Sequence, residues 1–316
     1  MSDRRSRPAR WFVPDVAIMT VFRRALAGLL PLLLALPAAR ADQPARPTRP
    51  PTSVEVVAHR SQLMKHPDAV HAVQRGDDAM ADDDCATAIA QFDKAAEIDP
   101  KNFEAYIHRA ECESRQGDLA KAVEDADQGV RTAPWLDEAY EARAMVLAAR
   151  GELVPAWQDC QTAYQIPHNQ ARRLVDCRGY IEFALGRYAQ AAIHLQYVPN
   201  AEEDRHRALF LYFATRRLGH DGEAELLKHA DPQTLQGVLS DVVEMIKGRL
   251  TEESVMERAY SDADRCAVAF YAGEWDLLNG QKDLASQRLQ RAAACNAGYK
   301  TSLAARAELK RLGAGW

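Results

Sequence analysis

Small and apolar residues recur along the chain with the spacing of one helix face. Residues 86–102, ATAIAQFDKAAEIDPKN, are typical, because Ala88, Phe92 and Ala95 lie three or four positions apart and Pro100 closes the segment. This spacing places apolar side chains in one stripe of a helix. A proline stops a helix because it lacks an N–H and clashes with the preceding turn. Strand-like alternation is nowhere sustained, so the pattern predicts an all-α protein.

The helical pattern repeats with a period of 33 or 34 residues, marked by Pro100, Pro134 and Pro167. Within each period a glycine recurs where two helices meet, and an alanine follows five residues later. Such a glycine ends a helix in a left-handed conformation, and the alanine lets the next helix approach closely. The glycines are Gly117, Gly151 and Gly186, and the alanines are Ala122, Ala156 and Ala191.

A 34-residue period with these landmarks resembles the tetratricopeptide repeat. The resemblance implies a right-handed α-solenoid in which helix hairpins stack continuously. We predict an N-terminal helix and four repeats over residues 54–199. Degenerate helix pairs and a C-terminal repeat follow over residues 200–316, continuous with the solenoid.

Each of the four repeats has an arginine at the seventh position of its first helix, where the consensus of the repeat prefers leucine. These guanidinium groups either bind an anionic partner in the groove or pair with acidic residues of the preceding turn, such as Asp99. We favour the structural pairing. The arginines are Arg75, Arg109, Arg143 and Arg178.

The N-terminal residues have the order of a secretory signal peptide. Residues 19–41 contain two arginines, an apolar run of 14 residues and an A-x-A site that ends at Ala41. We predict that residues 1–41 are removed, with Met19 as an alternative start. The run is shorter than the roughly 20 residues that span a bilayer, which argues against a stable membrane anchor. No cysteine precedes Cys85, so no lipid-accepting cysteine follows the run.

Residues 42–53 contain four prolines and are predicted to form an extended linker.

From residue 42 onward the chain has 33 basic and 43 acidic residues, with no cluster of lysine and arginine. Such a chain repels a phosphate backbone, so we exclude nucleic acid as a partner. The predicted location is the periplasm or the outside of the cell.

The six cysteines are predicted to form three sequential disulfides in an oxidising compartment. Residues equidistant from the loop between two antiparallel helices face each other, which selects the pairs. Each bond would stabilise the fold by about 3 kcal/mol. Free buried thiols in a cytosolic protein are the alternative. The predicted pairs are Cys160/Cys177, Cys266/Cys295 and Cys85/Cys112, of which the last fits the spacing least closely.

The chain lacks the motifs of common enzymes, among them GxSxG, the P-loop and GxGxxG. Its nine histidines include no HExxH and no pair four residues apart, so no zinc site is predicted. We therefore predict no enzyme, no metal and no cofactor. A hydrolase with an unrecognised site is the alternative.

The tetratricopeptide resemblance implies that positions two, five, nine and twelve of each first helix line a concave wall and contact a protein partner. On this chain those positions mix acidic and apolar residues without lysine, which suits a partner of basic and apolar character. The alternative is a solvated surface without a partner. The predicted contacts are Glu104, Ile107, Glu111, Glu138, Glu141, Met145, Arg173, Asp176, Tyr180 and Phe183.

Residues 243–258 and 270–285, followed by Ala305, Glu308 and Leu309, resemble the closing segment of the NlpI family of periplasmic lipoproteins. The resemblance implies a homodimeric adaptor that presents cell-wall hydrolases to a protease. That family's lipid anchor is missing here, which leaves the identity of the partner open.

Taken with the missing enzyme motifs, these features predict a non-enzymatic periplasmic scaffold that mediates protein–protein interaction. The alternative is a receptor or chaperone for peptides or unfolded secreted chains. Its apolar contacts would be Met145, Tyr180 and Phe183.

Overall fold

The structure is a computed structural model, and its fourteen described α-helices confirm the predicted all-α class; the described residues contain no strand. All of these residues lie in one compact unit. The predicted signal peptide (1–41) and linker (42–53) lie outside the described residues and stay predictions. The structure describes residues 66–166, 172–196, 205–221, 235, 237–295 and 299–314.

The first eight helices form four antiparallel hairpins, each with a first helix, called A, and a second helix, called B. Neighbouring A helices also pack on one another in series, which stacks the hairpins into the predicted solenoid. The hairpins are α1 (Pro67–Ala81) with α2 (Cys85–Ile98), α3 (Phe103–Gln116) with α4 (Leu119–Thr132), α5 (Asp137–Ala149) with α6 (Leu153–Gln165), and α7 (Arg172–Ala184) with α8 (Tyr188–Gln196).

The remaining described helices continue the stack. Helix α9 packs on α7, α8 and α12, and α12 forms a further hairpin with α13. Their bounds are α9 (Arg205–Arg217), α10 (Val238–Ile246), α11 (Glu252–Glu257), α12 (Asp262–Leu278), α13 (Lys282–Ala293) and α14 (Tyr299–Arg311).

Local sequence explains where the hairpins turn. Gly117 ends α3 with a φ of 86°, a left-handed conformation that side chains with a Cβ rarely adopt. The Asp118 side chain then caps α4 by accepting a hydrogen bond from the backbone N–H of Lys121. A second kind of glycine permits close packing, because a Cβ on Gly76 would lie 2.3 Å from a ring carbon of Phe92.

Two of the four repeated arginines form the structural ion pairs favoured from the sequence, with acidic residues other than Asp99. Arg109 and Arg143 each bridge two B helices, their own and the preceding one. The Nε of Arg109 lies 2.5 Å from Asp125, and its Nη1 lies 2.6 Å from Asp93. Asp99 instead accepts the backbone N–H of Lys101.

Arg143 repeats this arrangement one hairpin later, 2.7 Å from Asp159 and 3.0 Å from Asp127. The two ends of the series differ. The Arg75 side chain is exposed and donates to Gln91. Arg178 lies 3.9 Å from the ring centroid of Tyr164, and burial lowers its pKa.

Two of the three predicted cysteine pairs are joined in the structure. The Cys160–Cys177 bond connects α6 to α7, and the Cys266–Cys295 bond ties α12 to the end of α13. Each pair has a Cα–Cα distance of 6.0 Å. The loop between α6 and α7 is centred midway between Cys160 and Cys177, which is the facing arrangement that the spacing predicts.

The third predicted bridge, Cys85/Cys112, is not formed in the structure. Both residues are buried free cysteines. The reason lies in the helix register. The α2–α3 loop is centred between Pro100 and Lys101, so the residue opposite Cys112 is Ile89. Cys85 lies one helical turn away from it.

Candidate partner-binding face

The candidate site is the inner wall, defined as the surfaces of α1, α3, α5 and α7 that face away from the B helices. Four of the predicted contact residues are carboxylates on α3 and α5. Glu111 and Glu138 are exposed, whereas Glu104 and Glu141 are half-buried. The wall along these two helices is therefore acidic.

An acidic group that the sequence analysis missed extends this surface to α1. The Asp77 carboxylate lies 2.7 Å from Nδ1 of His108 and so bridges α1 to α3. Burial lowers the pKa of His108, but Asp77 and the charges of Glu104 and Glu111 outweigh it, so the pKa is raised. Asp77 is the ninth residue of its repeat and could have been found by counting from Arg75.

The apolar residues predicted for the wall are buried or half-buried. Ile107 is buried against α4, where a Cβ on Gly129 would meet its side chain at 2.5 Å. Met145 is half-buried and packs on the core that joins α5 to α7. The backbone of Arg173 and Asp176 lies in α7, but the side chains of both lie outside the described part of the chain.

Tyr180 and Phe183 are core residues in this structure and do not reach a surface that a partner could contact. Tyr180 is 1% exposed and Phe183 is 0% exposed. Both rings pack edge-on against Phe210 of α9, with centroid distances of 4.6 and 5.0 Å. Because α9 follows α8, an aromatic residue on the wall of the last hairpin is covered by the next helix along the chain.

The C-terminal helix α14 covers part of the inner wall. It packs against α5 and α7 as well as against α12 and α13. Leu303 lies in one apolar cluster with Leu147 and Ile181. The ammonium group of Lys300 lies 4.4 Å from the ring centroid of Tyr180. The wall is thus occupied by the chain itself along α7.

Two arginines of α14 bind the C-terminal ends of A helices. Arg306 donates to the carbonyl of Ala149, the last residue of α5, at 3.1 Å. Arg311 donates to the carbonyl of Ala184, the last residue of α7, at 2.5 Å. Last-turn carbonyls lack a partner within their helix and carry negative partial charge, so a guanidinium is a matching donor. These two contacts hold α14 at the ends of α5 and α7.

A buried ionic cluster holds α14 against α8, α9 and α12. Arg217 donates to Glu274 at 2.8 Å, and the Tyr188 hydroxyl donates to Glu308 at 2.8 Å. Arg311 pairs with Glu308 as well. Burial and the charge of Glu308 raise the pKa of Glu274 to about 8, although Arg217 opposes the shift.

We expect Glu274→Gln to change how stability depends on pH. Wild-type Glu274 stays protonated in the folded state while it ionises in the unfolded state above its ordinary pKa. Stability contributed by this group is therefore complete below about pH 4.5 and falls as the pH rises to about 8. The slope is at most about 1.4 kcal/mol per pH unit.

Urea unfolding of both proteins between pH 5 and 8 measures this effect. The variant should gain stability relative to wild type as the pH rises. A variant that instead loses stability at pH 8 would show that Glu274 is an ionised partner of Arg217.

No group of three or more His, Cys, Asp or Glu side chains that could hold a metal ion occurs in the described ranges. Among the described helices, none is long and apolar enough to cross a membrane.

The tetratricopeptide repeat family model matches residues 92–124, which run from α2 into α4. No curated protein matches the chain in sequence. A solved tetratricopeptide repeat protein from Parabacteroides merdae is 16% identical and is similar over 77% of this chain and 99% of its own, with a TM-score of 0.47.

Two further solved structures are similar. One is a complex titled APC/C hetero-tetramer Cut9-Hcn1, which is 18% identical. It is similar over 81% of this chain and 46% of its own, with a TM-score of 0.48. The other is PilW, a type IV pilus biogenesis factor, which is 17% identical. It is similar over 72% of this chain and 92% of its own, with a TM-score of 0.44.

Proposed function

We propose that the protein is a non-enzymatic periplasmic scaffold whose acidic inner wall on α1, α3 and α5 binds a basic helical segment of a partner protein. The observation that carries the proposal is that helix α14 of the same chain packs on the inner wall. Helix α14 covers α7 and presents arginines to the ends of α5 and α7.

The charge of the uncovered wall supports the same class of partner. Asp77, Glu104, Glu111, Glu138 and Glu141 follow one another along α1, α3 and α5. Opposite charges across an interface steer association and disfavour partners of the wrong sign. A basic segment is attracted to this wall, and an acidic one is repelled.

The periplasmic location rests on two features. Residues 19–41 have the order of a signal peptide, and the structure holds two disulfides, which persist in oxidising compartments. The finer role, in which a homodimeric adaptor brings a cell-wall hydrolase to a protease, rests only on the C-terminal resemblance to the NlpI family. The burial of Tyr180 and Phe183 disfavours the chaperone alternative, which needed both rings as contacts.

Photo-crosslinking in intact cells tests the proposal. A benzophenone amino acid replaces Glu111 or Glu138 on the inner wall, and as the matched control it replaces Glu97, which is exposed on a B helix. We expect one or two defined protein adducts at the wall positions and none of these at Glu97. Mass spectrometry of the adducts identifies the partner and its contacting segment.

Charge reversal then distinguishes specific binding at the inner wall from non-specific binding. Glu104→Lys combined with Glu141→Lys should abolish the adducts at Glu111, because a basic segment is then repelled. Adducts with many different proteins would support the chaperone alternative. Adducts that survive charge reversal, or that form equally at Glu97, would contradict the proposed face.

A further inference from the structure

The last arginine of the repeated series has no carboxylate partner among the described residues. Arg178 is 8% exposed, and its Nε is buried without a hydrogen-bond partner. The ring centroid of Tyr164 lies 3.9 Å from its guanidinium carbon. Burial lowers the pKa of Arg178, although the charge of Glu182 opposes this shift. A largely buried guanidinium without a paired anion is costly, because nothing compensates its lost hydration.

The two paired arginines of the series show which groups are missing. Arg109 and Arg143 each bind an aspartate that lies three residues after the repeat alanine of their own B helix. Each also binds an aspartate five residues after the alanine of the preceding B helix. At Arg178 these two positions hold His194 and Gln161. The fourth hairpin therefore keeps the arginine but lacks both carboxylates.

Glu182, one helical turn further along α7, does not supply the missing charge. One of its carboxylate oxygens accepts the Nε1–H of Trp157 at 3.1 Å, and the other lies 2.5 Å from Nδ1 of His194. His194 is thus bound to Glu182, and no aspartate stands in its place. The guanidinium group of Arg178 keeps room for an anion from outside the chain.

The helices on either side of Arg178 carry exposed apolar side chains. Over the described residues six large apolar side chains are exposed, and three of them, Val154, Tyr164 and Ile193, lie on α6 and α8. Tyr164 is 52% exposed and Ile193 is 65% exposed. Tyrosine and arginine are enriched among the residues that dominate binding at protein interfaces. We call these three residues and Arg178 the outer face, because they lie on the side of the B helices, away from the inner wall.

We propose that the outer face binds a second protein partner, through an aspartate or glutamate side chain that enters between α6 and α8 and pairs with Arg178. The carboxylate takes the place that Asp127 and Asp159 fill at Arg143. Residues beside it on the partner are apolar, because they contact the exposed side chains of α6 and α8. The acidic chain repels a segment with many negative charges, which favours a single carboxylate in an apolar surrounding.

This inference goes beyond the proposed function and gives the scaffold a second binding face. The inner wall attracts a basic segment on the side of the A helices, whereas the outer face takes an acidic side chain between two B helices. Substitutions on α6 and α7 that alter Arg178 or its surroundings leave Glu104, Glu111, Glu138 and Glu141 in place. The two faces can therefore be tested separately.

A carboxylate placed on the chain itself tests whether Arg178 accepts one. Gln161→Asp puts an aspartate at the position that Asp127 has beside Arg143, and Gln161→Asn is the neutral control of the same size. Urea unfolding followed by circular dichroism compares the two variants. The midpoint of Gln161→Asp should lie above that of Gln161→Asn, because Arg178 gains a partner. An equal or lower midpoint would overturn the inference.

Photo-crosslinking in intact cells tests the partner. A benzophenone amino acid replaces Ile193, and we expect an adduct with another protein whose crosslinked peptide contains an aspartate or glutamate. The adduct should fall by at least about tenfold in Gln161→Asp and in Arg178→Gln, because the anion site is filled or removed. It should persist in Gln161→Asn. Circular dichroism establishes that each variant is folded.

Adducts formed from Glu111 of the inner wall should be the same in all three variants, so that failure at one face is distinguishable from failure at the other. An adduct at Ile193 that is insensitive to Gln161→Asp and Arg178→Gln would overturn the inference. So would the absence of any adduct, a crosslinked peptide without an acidic residue, or an adduct with a second copy of this chain.

Discussion

Replacing Arg143 with alanine should lower the free energy of unfolding by about 3 to 5 kcal/mol, because it breaks a buried ion pair by removing one member. Arg143 is 4% exposed and pairs with Asp159 and Asp127 on two different B helices. Its loss leaves the buried Asp159 carboxylate without its guanidinium partner. It also removes a tie between neighbouring hairpins, so cooperativity between repeats should weaken.

The same position of the first repeat offers a matched control. Arg75 is exposed and donates to the neutral Gln91. Arg75→Ala should therefore cost less than about 1 kcal/mol, as for most exposed polar pairs. Urea unfolding followed by circular dichroism measures both variants. Equal losses at the two positions would contradict the view that burial of the ion pair sets the cost.

Replacing Glu308 with alanine should also cost about 3 to 5 kcal/mol. Glu308 is 2% exposed and accepts from Tyr188 while it pairs with Arg311 and lies 3.5 Å from Arg217. The substitution leaves the guanidinium groups of the half-buried Arg217 and the more exposed Arg311 with reduced compensation. Since Glu308 lies on α14, its loss should loosen that helix from α8 and α9 before the N-terminal hairpins are affected.

Lys310→Ala is the matched control, because Lys310 lies on the same helix but is exposed, and its cost should stay within about 0.5 kcal/mol. Amide hydrogen exchange reads out the location of the effect. In Glu308→Ala, protection should fall in α14 more than in α3 and α4. A uniform loss of protection across all hairpins would show that α14 is not a separately held element.

Features that depend on neighbouring residues were predicted from the sequence. The helix period, the turn at Gly117 and the 34-residue repeat arise from contacts within one hairpin or between adjacent hairpins. The Cys160–Cys177 pair belongs to this group, because a symmetric loop sets the register of α6 against α7. Where the loop is off-centre, as for Cys85 and Cys112, the same counting placed a bond that the structure lacks.

The concave wall shows the limit of this reasoning. Repeat positions identified Glu104, Glu111, Glu138 and Glu141 as wall residues, and the structure leaves these carboxylates exposed or half-buried. The same positions failed for Tyr180 and Phe183. Repeat counting considers only the four hairpins, but Phe210 of α9 covers Tyr180 and Phe183, and Lys300 of α14 also lies over Tyr180.

The sequence by itself determined the helices, their turns, their stacking order and the acidic character of the chain, because periodicity and capping act within a few residues. Only the tertiary structure decided which wall residues are covered. Arg311 reaches a carbonyl 127 residues away in sequence. Contacts of that separation depend on how small rotations between successive hairpins add up, and no local pattern of residues encodes that sum.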